Sequence, residues 1–500
     1  MRKISPNSPA PTVRKSIAWN LTTGPVILLA NLLLIPFSIS ICGANDYGIW
    51  VICFSTVAIL GQVDFGLGTA IVRQLARYRS AGLLGEESVA KRYAISLFLL
   101  AAVGLAGAIV ALLYGYFHAT GGMASSPHVS KLIALSSFSM FLTIVARCFI
   151  SIIQSYGLFH PERILIIFGL ILKVVILVVA AFYLRSVILV ALADLVAVLV
   201  LGLGAILFVF RSSMLRGAAS DGVDIRATRR DLRRFGLPTF LSSFCSLLAM
   251  QLPLFFVGAL VSFSDAAVFS ALSRLLMSAR ASFGWITAPS LPDISRVGST
   301  IGKSVLSKKV TKSVLLISAL TSVVIGPLLV SGREFVALWL GVDSQDAGLA
   351  IAAFALTIFL YGIYSPGVVF ATALGHPGIV ARQNVLVLII SLLASATLPR
   401  ALGLLGGALA VLLSIGIVFP WSILVTSRLT GMVWGSVLFF CGLGLLYSTL
   451  GSYIGKLLSN RLDVGQYGAV VGGAILSVAF VGLFYGLLTR RFFDLLNKSV

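Results

Sequence analysis

Residues 164–210 read ILIIFGLILKVVILVVAAFYLRSVILVALADLVAVLVLGLGAILFVF, with only Lys173, Arg185 and Asp194 charged. As one helix this stretch would be about 70 Å long, more than twice the ~30 Å hydrocarbon core of a bilayer. The chain therefore has to reverse inside it, and Arg185 marks the break. Two spans result, 164–184 and 186–210. The apolar runs are continuous rather than alternating, which excludes a transmembrane β-barrel.

Read outward from this hairpin, the chain carries further runs long enough to cross a membrane. The full set of fourteen lies near 17–41, 47–72, 93–117, 129–154, 164–184, 186–210, 236–260, 265–289, 313–331, 347–372, 383–399, 403–427, 432–454 and 466–489. Pro399, Arg400 and Gly403 mark the turn between the eleventh and twelfth. Composition agrees. Hydrophobic residues make up 59% of the 500 and charged residues 11%, with a mean hydropathy of +1.06. A soluble protein carries about a quarter charged residues, so this chain cannot cover a water-facing surface of its size. Disorder is excluded by the same numbers.

The net charge of +21 suggests nucleic acid until the basic residues are placed. With the N-terminus inside, 27 of the 37 Lys and Arg fall in cytoplasmic segments and six outside; Arg147, Lys173, Arg274 and Arg280 lie within spans. That asymmetry predicts an even number of spans with both termini cytoplasmic. It accounts for the charge without nucleic acid, and adds contact with anionic membrane lipid. The first apolar run is too long for a signal peptide and no small-residue cleavage site follows it, so it reads as an uncleaved span.

The loops carry no phosphate-binding glycine motif. The five cysteines, Cys42, Cys53, Cys148, Cys245 and Cys441, have no metal or redox spacing and read as small buried hydrophobes. His118, His128, His160 and His376 read as solvated loop or turn residues. Thus no catalytic set, metal or cofactor is expected, and transport is the default. The basic stretch 211–235 divides the chain. The expected organisation is a cytoplasmic tail 1–16, an N-lobe 17–210, the linker 211–235, a C-lobe 236–427, two extra helices 432–489 and a cytoplasmic tail 490–500. Pro25, Pro36, Pro253 and Pro366 lie inside spans, where each removes a backbone hydrogen bond; they are candidate hinges or tolerated kinks.

Four stretches resemble the bacterial polysaccharide (O-antigen and exopolysaccharide) flippases of the multidrug/oligosaccharidyl-lipid/polysaccharide exporter superfamily. They are Tyr47-Gly48-Ile49-Trp50, Asp64-Phe65-Gly66-Leu67-Gly68-Thr69-Ala70 with Arg73-Gln74-Leu75-Ala76, Arg234-Phe235-Gly236-Leu237-Pro238, and Leu402–Ala410. The resemblance implies an all-α polytopic protein of two six-helix lobes plus two C-terminal helices around a central cavity. It also implies movement of an undecaprenyl-diphosphate-linked oligosaccharide across the cytoplasmic membrane, with H+ or Na+ as coupling ion and polysaccharide polymerase or assembly proteins as candidate partners. Family members often carry an acid in the seventh span; here Ala249-Met250-Gln251-Leu252-Pro253-Leu254 has none.

Each ionisable group in a span costs about 2.5–3.5 kcal/mol on insertion scales and needs a reason. Four cations against Asp64 and Asp194 leave a positive surplus, suited to a diphosphate headgroup. Arg147, Lys173, Arg274 and Arg280 are the candidate substrate contacts, and Asp64 and Asp194 the candidate coupling sites. The competing uses are ion pairing between helices for all six and, for the cations, snorkelling to the interface. The competing functions are a drug or cation antiporter of the same superfamily, a peptidoglycan-precursor flippase, and a membrane-embedded sugar polymerase or ligase, the last disfavoured by the short loops.

Overall fold

The computed structural model describes residues 32–61, 67–158, 160–183, 185–212, 244–287, 303–374, 376–462 and 465–498, with the single positions 30 and 214. All the regular structure among them is helical. The helices are α1 Leu32–Cys42, α2 Ala44–Leu60, α3 Leu67–Ser80, α4 Leu84–Ala119, α5 Val129–Ser155, α6 His160–Tyr183 and α7 Val187–Arg211. They continue with α8 Phe244–Leu260, α9 Phe263–Thr287, α10 Lys303–Leu340, α11 Gln345–Ala373, α12 Pro377–Thr430, α13 Trp434–Arg461 and α14 Gly465–Lys498. A single short turn of helix, Gly122–Ser125, joins α4 to α5.

Among the described residues nine helices are long and apolar enough to cross a membrane. The protein is a multi-pass membrane protein. Its outward surfaces are hydrocarbon-like: Leu100, Phe182, Tyr183, Leu207, Phe439 and Leu483 are all more than half exposed. A chain in water would bury such side chains; in lipid they face their solvent.

Two reversals follow from local chemistry. At the α6/α7 turn Arg185 takes φ 27°, left-handed for a non-glycine residue, and the Ser186 hydroxyl accepts a hydrogen bond from the Ile188 amide to cap α7. Helix α12 is 54 residues long and breaks at Gly403, where φ is 56° and ψ −134°. A side chain at Gly406 would come within 2.1 Å of the Leu398 carbonyl, eight residues back. A straight helix separates such residues by about 12 Å, so the chain doubles back there. Span eleven and span twelve are the two arms of α12.

Other spans differ from expectation at their ends. Expected span 47–72 is α2 followed by a separate amphipathic α3. Expected span 313–331 is the core of a 38-residue helix, α10, which carries Pro327 and a non-helical Ser331. The sequence reading passed over Pro327.

The chain forms two compact units, Met1–Leu247 and Leu248–Val500. In the first, α5 packs against α4 and α7, α6 pairs with α7, and α2, buried over most of its length, meets α5. In the second, α10, α11 and α12 pack in succession, and the α13–α14 hairpin lies on α10.

Candidate functional site

Arg147 sits on α5, two turns before its end at Ser155. It lines a cavity of about 360 Å³ inside the first unit, with Gly68 from α3, Thr143, Ala146, Ile150, Ser151 and Gln154 from α5, Glu162 from α6, and Val198 and Leu201 from α7. The spacing is that of one helix face: 143, 147, 150/151 and 154 recur every three to four residues. Glu162 is brought in by the α5/α6 turn, and Gln154 Nε2 donates to its Oε2 at 2.8 Å. Half of the residues lining the cavity are polar, within an otherwise apolar bundle.

Lys173 does not stand as an uncompensated cation. Its Nζ lies 2.6 Å from Asp194 Oδ1, pairing α6 with α7, and both side chains are 12% exposed. This is the ion pairing between helices that was the competing use of both residues. The physical reason is desolvation: two opposite charges on adjacent buried helices cost less together than apart. Asp194 Oδ2 has no hydrogen-bond partner among the described residues.

In the second unit Arg274 and Arg280 lie on α9, both half-buried. The Arg280 guanidinium sits 4.5 Å above the Tyr361 ring of α11, a cation–π contact. Tyr361 in turn stacks on Phe283 and meets Tyr364 edge-on, so the ring under Arg280 is held from both sides. Asp64 and Pro25 lie outside the described residues. Pro36 is in α1, and Pro253 and Pro366 are buried in α8 and α11. Among the described residues no cluster of His, Cys, Asp and Glu has the makings of a metal site.

Sequence reasoning missed a second polar cluster at one end of the first unit. Glu87, 3% exposed, pairs with Arg79 and, at 2.7 Å, with Lys91. Lys91 also donates to the Tyr156 hydroxyl at 2.9 Å and the Met214 carbonyl at 2.6 Å. Arg79 donates to the Ser155 carbonyl and covers the Tyr156 ring. The cluster ties the α3/α4 turn to the α5/α6 turn and to the residue where the chain leaves α7. A Glu among the basics, four residues before Lys91, was the available signal.

The geometry defines a class: among the described residues, an all-helical, multi-pass bundle with a cavity lined by both Arg147 and Glu162, and no extramembrane domain. The fold is shared with solved structures. The chain resembles "Lipid II flippase MurJ, inward closed conformation" at TM-score 0.67 and 15% identity, over 95% of this chain and 99% of that one. It resembles the inward-facing conformation of a multidrug resistance MATE family transporter of the MOP superfamily at TM-score 0.66 and 15% identity, over 80% and 96%. It also resembles a MOP superfamily transporter from Pyrococcus furiosus at TM-score 0.59 and 16% identity, over 83% and 96%. No curated protein matches in sequence. The chain belongs to the family described as polysaccharide biosynthesis protein, which matches residues 13–298.

Proposed function

We propose that the protein flips an undecaprenyl-diphosphate-linked oligosaccharide from the cytoplasmic to the outer leaflet of the bacterial inner membrane, supplying O-antigen or exopolysaccharide synthesis. The observation that carries this reading is the Arg147 cavity, a guanidinium among hydrogen-bonding groups inside a lipid-embedded unit. A guanidinium holds phosphate oxygens in a fork, and a polar wall replaces the water that a headgroup gives up. Arg274 and Arg280, on α9, are the other proposed substrate contacts. Lys173 and Asp194 are assigned to holding α6 on α7. Family membership and the transporter fold support the same reading. The residue ranges 17–210 and 236–427 serve as the two lobes, which alternate in opening the site to each side of the membrane, with an ion gradient as the energy source. The chain acts as a transporter, not an enzyme.

The test is a deletion strain complemented with Arg147→Ala or Arg274→Ala. Each variant is expected to insert normally, to abolish surface polysaccharide and to leave undecaprenyl-linked intermediates on the cytoplasmic side. Normal polysaccharide from both variants removes these residues from the mechanism. A strain whose only defect is drug sensitivity replaces the proposal with the antiporter reading.

A further inference from the structure

Helix α10 is 38 residues long, about 57 Å of helix and nearly twice the ~30 Å hydrocarbon core. It leaves the helical region at Ser331, where φ is −124° and ψ 30°. The break divides it into a long arm, 303–330, and a short arm, 332–340, and the two arms have different neighbours. The α13–α14 hairpin holds the long arm, through Ser448 on the Ser322 carbonyl and Ser477 on the Val323 carbonyl. The short arm is packed tightly on the start of α11. A Cβ on Gly332 would fall 2.7 Å from Ile351 Cγ2, and one on Gly348 would fall 2.9 Å from Arg333 Cβ. From the hairpin, Lys456 spans the break. Its Nζ donates to the Val330 carbonyl at 3.1 Å and pairs with Glu334 Oε1 at 2.6 Å. Val330 and Glu334 are the acceptor and donor positions of the helical turn that contains Ser331.

Ser331 gains nothing from the bend. Its hydroxyl is buried and has no hydrogen-bond partner among the described residues. On a helix, a serine or threonine hydroxyl bonds the carbonyl four residues back, as Ser313 does to Lys309 and Thr321 to Ile317 on this same helix. A helical Ser331 would bond the Pro327 carbonyl in that way. The bent form thus satisfies Lys456 and leaves Ser331 unpaired; a straight form would reverse this. We propose that Ser331 is a hinge and Lys456 the clasp that keeps it bent, so that the α13–α14 hairpin sets the angle between the two arms of α10. Release of Lys456 from Glu334 straightens α10 and carries the start of α11 along with the short arm. The Lys456 and Glu334 side chains are 28% and 23% exposed, so parting them costs less than parting a fully buried pair. This task for the two extra helices does not depend on the flippase reading or on its substrate.

The bend is read directly, in the full chain in nanodiscs, by double electron–electron resonance. Spin labels are placed at Leu320→Cys on the long arm and at Gln345→Cys, which opens α11; both positions are exposed. The five native cysteines are replaced by alanine in this background. The parent is expected to show mainly one distance, that of the bent form. Lys456→Met and Glu334→Leu are each expected to shift the balance toward a second, longer distance about tenfold, the scale of one hydrogen bond to a charged group. Lys456→Arg, which keeps the charge and the donors, is expected to stay with the parent. A distribution unchanged from the parent in either Lys456→Met or Glu334→Leu overturns the clasp. So does a shift in Lys456→Arg as large as that in Lys456→Met, which would make position 456 a matter of packing. Where Lys456→Met fails to fold, Glu334→Leu decides alone.

Discussion

Lys173 and Asp194 show how a buried charge is decided by its neighbour. Alone, each would be a costly ion in lipid; together they close a 2.6 Å bridge between α6 and α7. Removing one partner leaves the other desolvated without compensation, which typically costs about 3–5 kcal/mol, whereas replacing both with apolar residues is often close to neutral. Lys173→Met or Asp194→Leu alone is therefore expected to lower the stability of the purified protein by that order, and the double variant to recover most of it. Equilibrium unfolding in mixed micelles measures the cycle; additive losses would show that the pair is not coupled. By contrast, Arg333–Asp343 is more than half exposed on both sides, and Asp343→Asn is expected to leave unfolding unchanged. The Lys173–Asp194 pairing was legible in principle. The turn at Arg185 folds the stretch back on itself, and residues 173 and 194 stand at roughly equal distances from it. The Arg147 cavity was only half legible. Its helix face follows from the spacing along α5, but Glu162 enters across a turn whose geometry no periodicity encodes.

Helices were the most legible scale, because hydrophobic length alone demands them; what joins them was not. Three prolines illustrate the difference. Pro253 lacks the amide that would bond the Ala249 carbonyl, and Ser391 of α12 donates to that carbonyl instead, at 2.6 Å. Pro327 likewise leaves the Val323 carbonyl without its helical donor, and Ser477 of α14 donates to it at 3.1 Å. One residue earlier Ser448 of α13 donates to the Ser322 carbonyl, over Gly326, where any side chain would strike the serine. Ser391 and Ser477 dock neighbouring helices on the carbonyls that proline releases, which is how lipid-embedded backbone is kept satisfied. Pro253 is thus a docking point, while among the described residues nothing comparable is seen at Pro366. The α13–α14 hairpin closes in the same spirit. Gly455 approaches Gly472 and Gly473 so closely that a Cβ would fall 2.7 Å from their backbone, and Ser448, Ser452, Gly455 and Ser459 present the small stripe that allows it. That spacing was visible in the sequence; the carbonyl partners, more than a hundred residues away, were not. Ser391→Ala is expected to cost about 1 kcal/mol in the wild-type background. In a Pro253→Ala background, where the amide at 253 is restored, the same change is expected to cost almost nothing. An equal loss in both backgrounds would detach the serine from the proline.

For the molecule as a whole, the decisive quantity is the distribution of charge rather than its sum. The +21 excess is concentrated in segments that share one side of the membrane if the helices alternate from a cytoplasmic N-terminus. The structure strengthens the count of crossings on which this depends: α12 supplies two, and the α6/α7 turn separates two more. The cluster around Glu87 adds a reason for the same assignment. It gathers Arg79 and Lys91 with the α5/α6 turn and Met214 at one end of the first unit, so these basic segments lie together. Orientation can then be tested with two exposed positions at opposite ends of helices. Ala81 lies in the α3/α4 turn and Gln345 opens α11; both are exposed to solvent. In intact cells a membrane-impermeant maleimide is expected to label Gln345→Cys and to spare Ala81→Cys until the membrane is opened. The parent chain, whose cysteines other than the half-buried Cys42 are buried, gives the background. The reverse labelling pattern would invert the protein in the membrane. It would then place the α5/α6 end, with Gln154 and Glu162, on the outer side, where the cavity would receive a released headgroup rather than capture one.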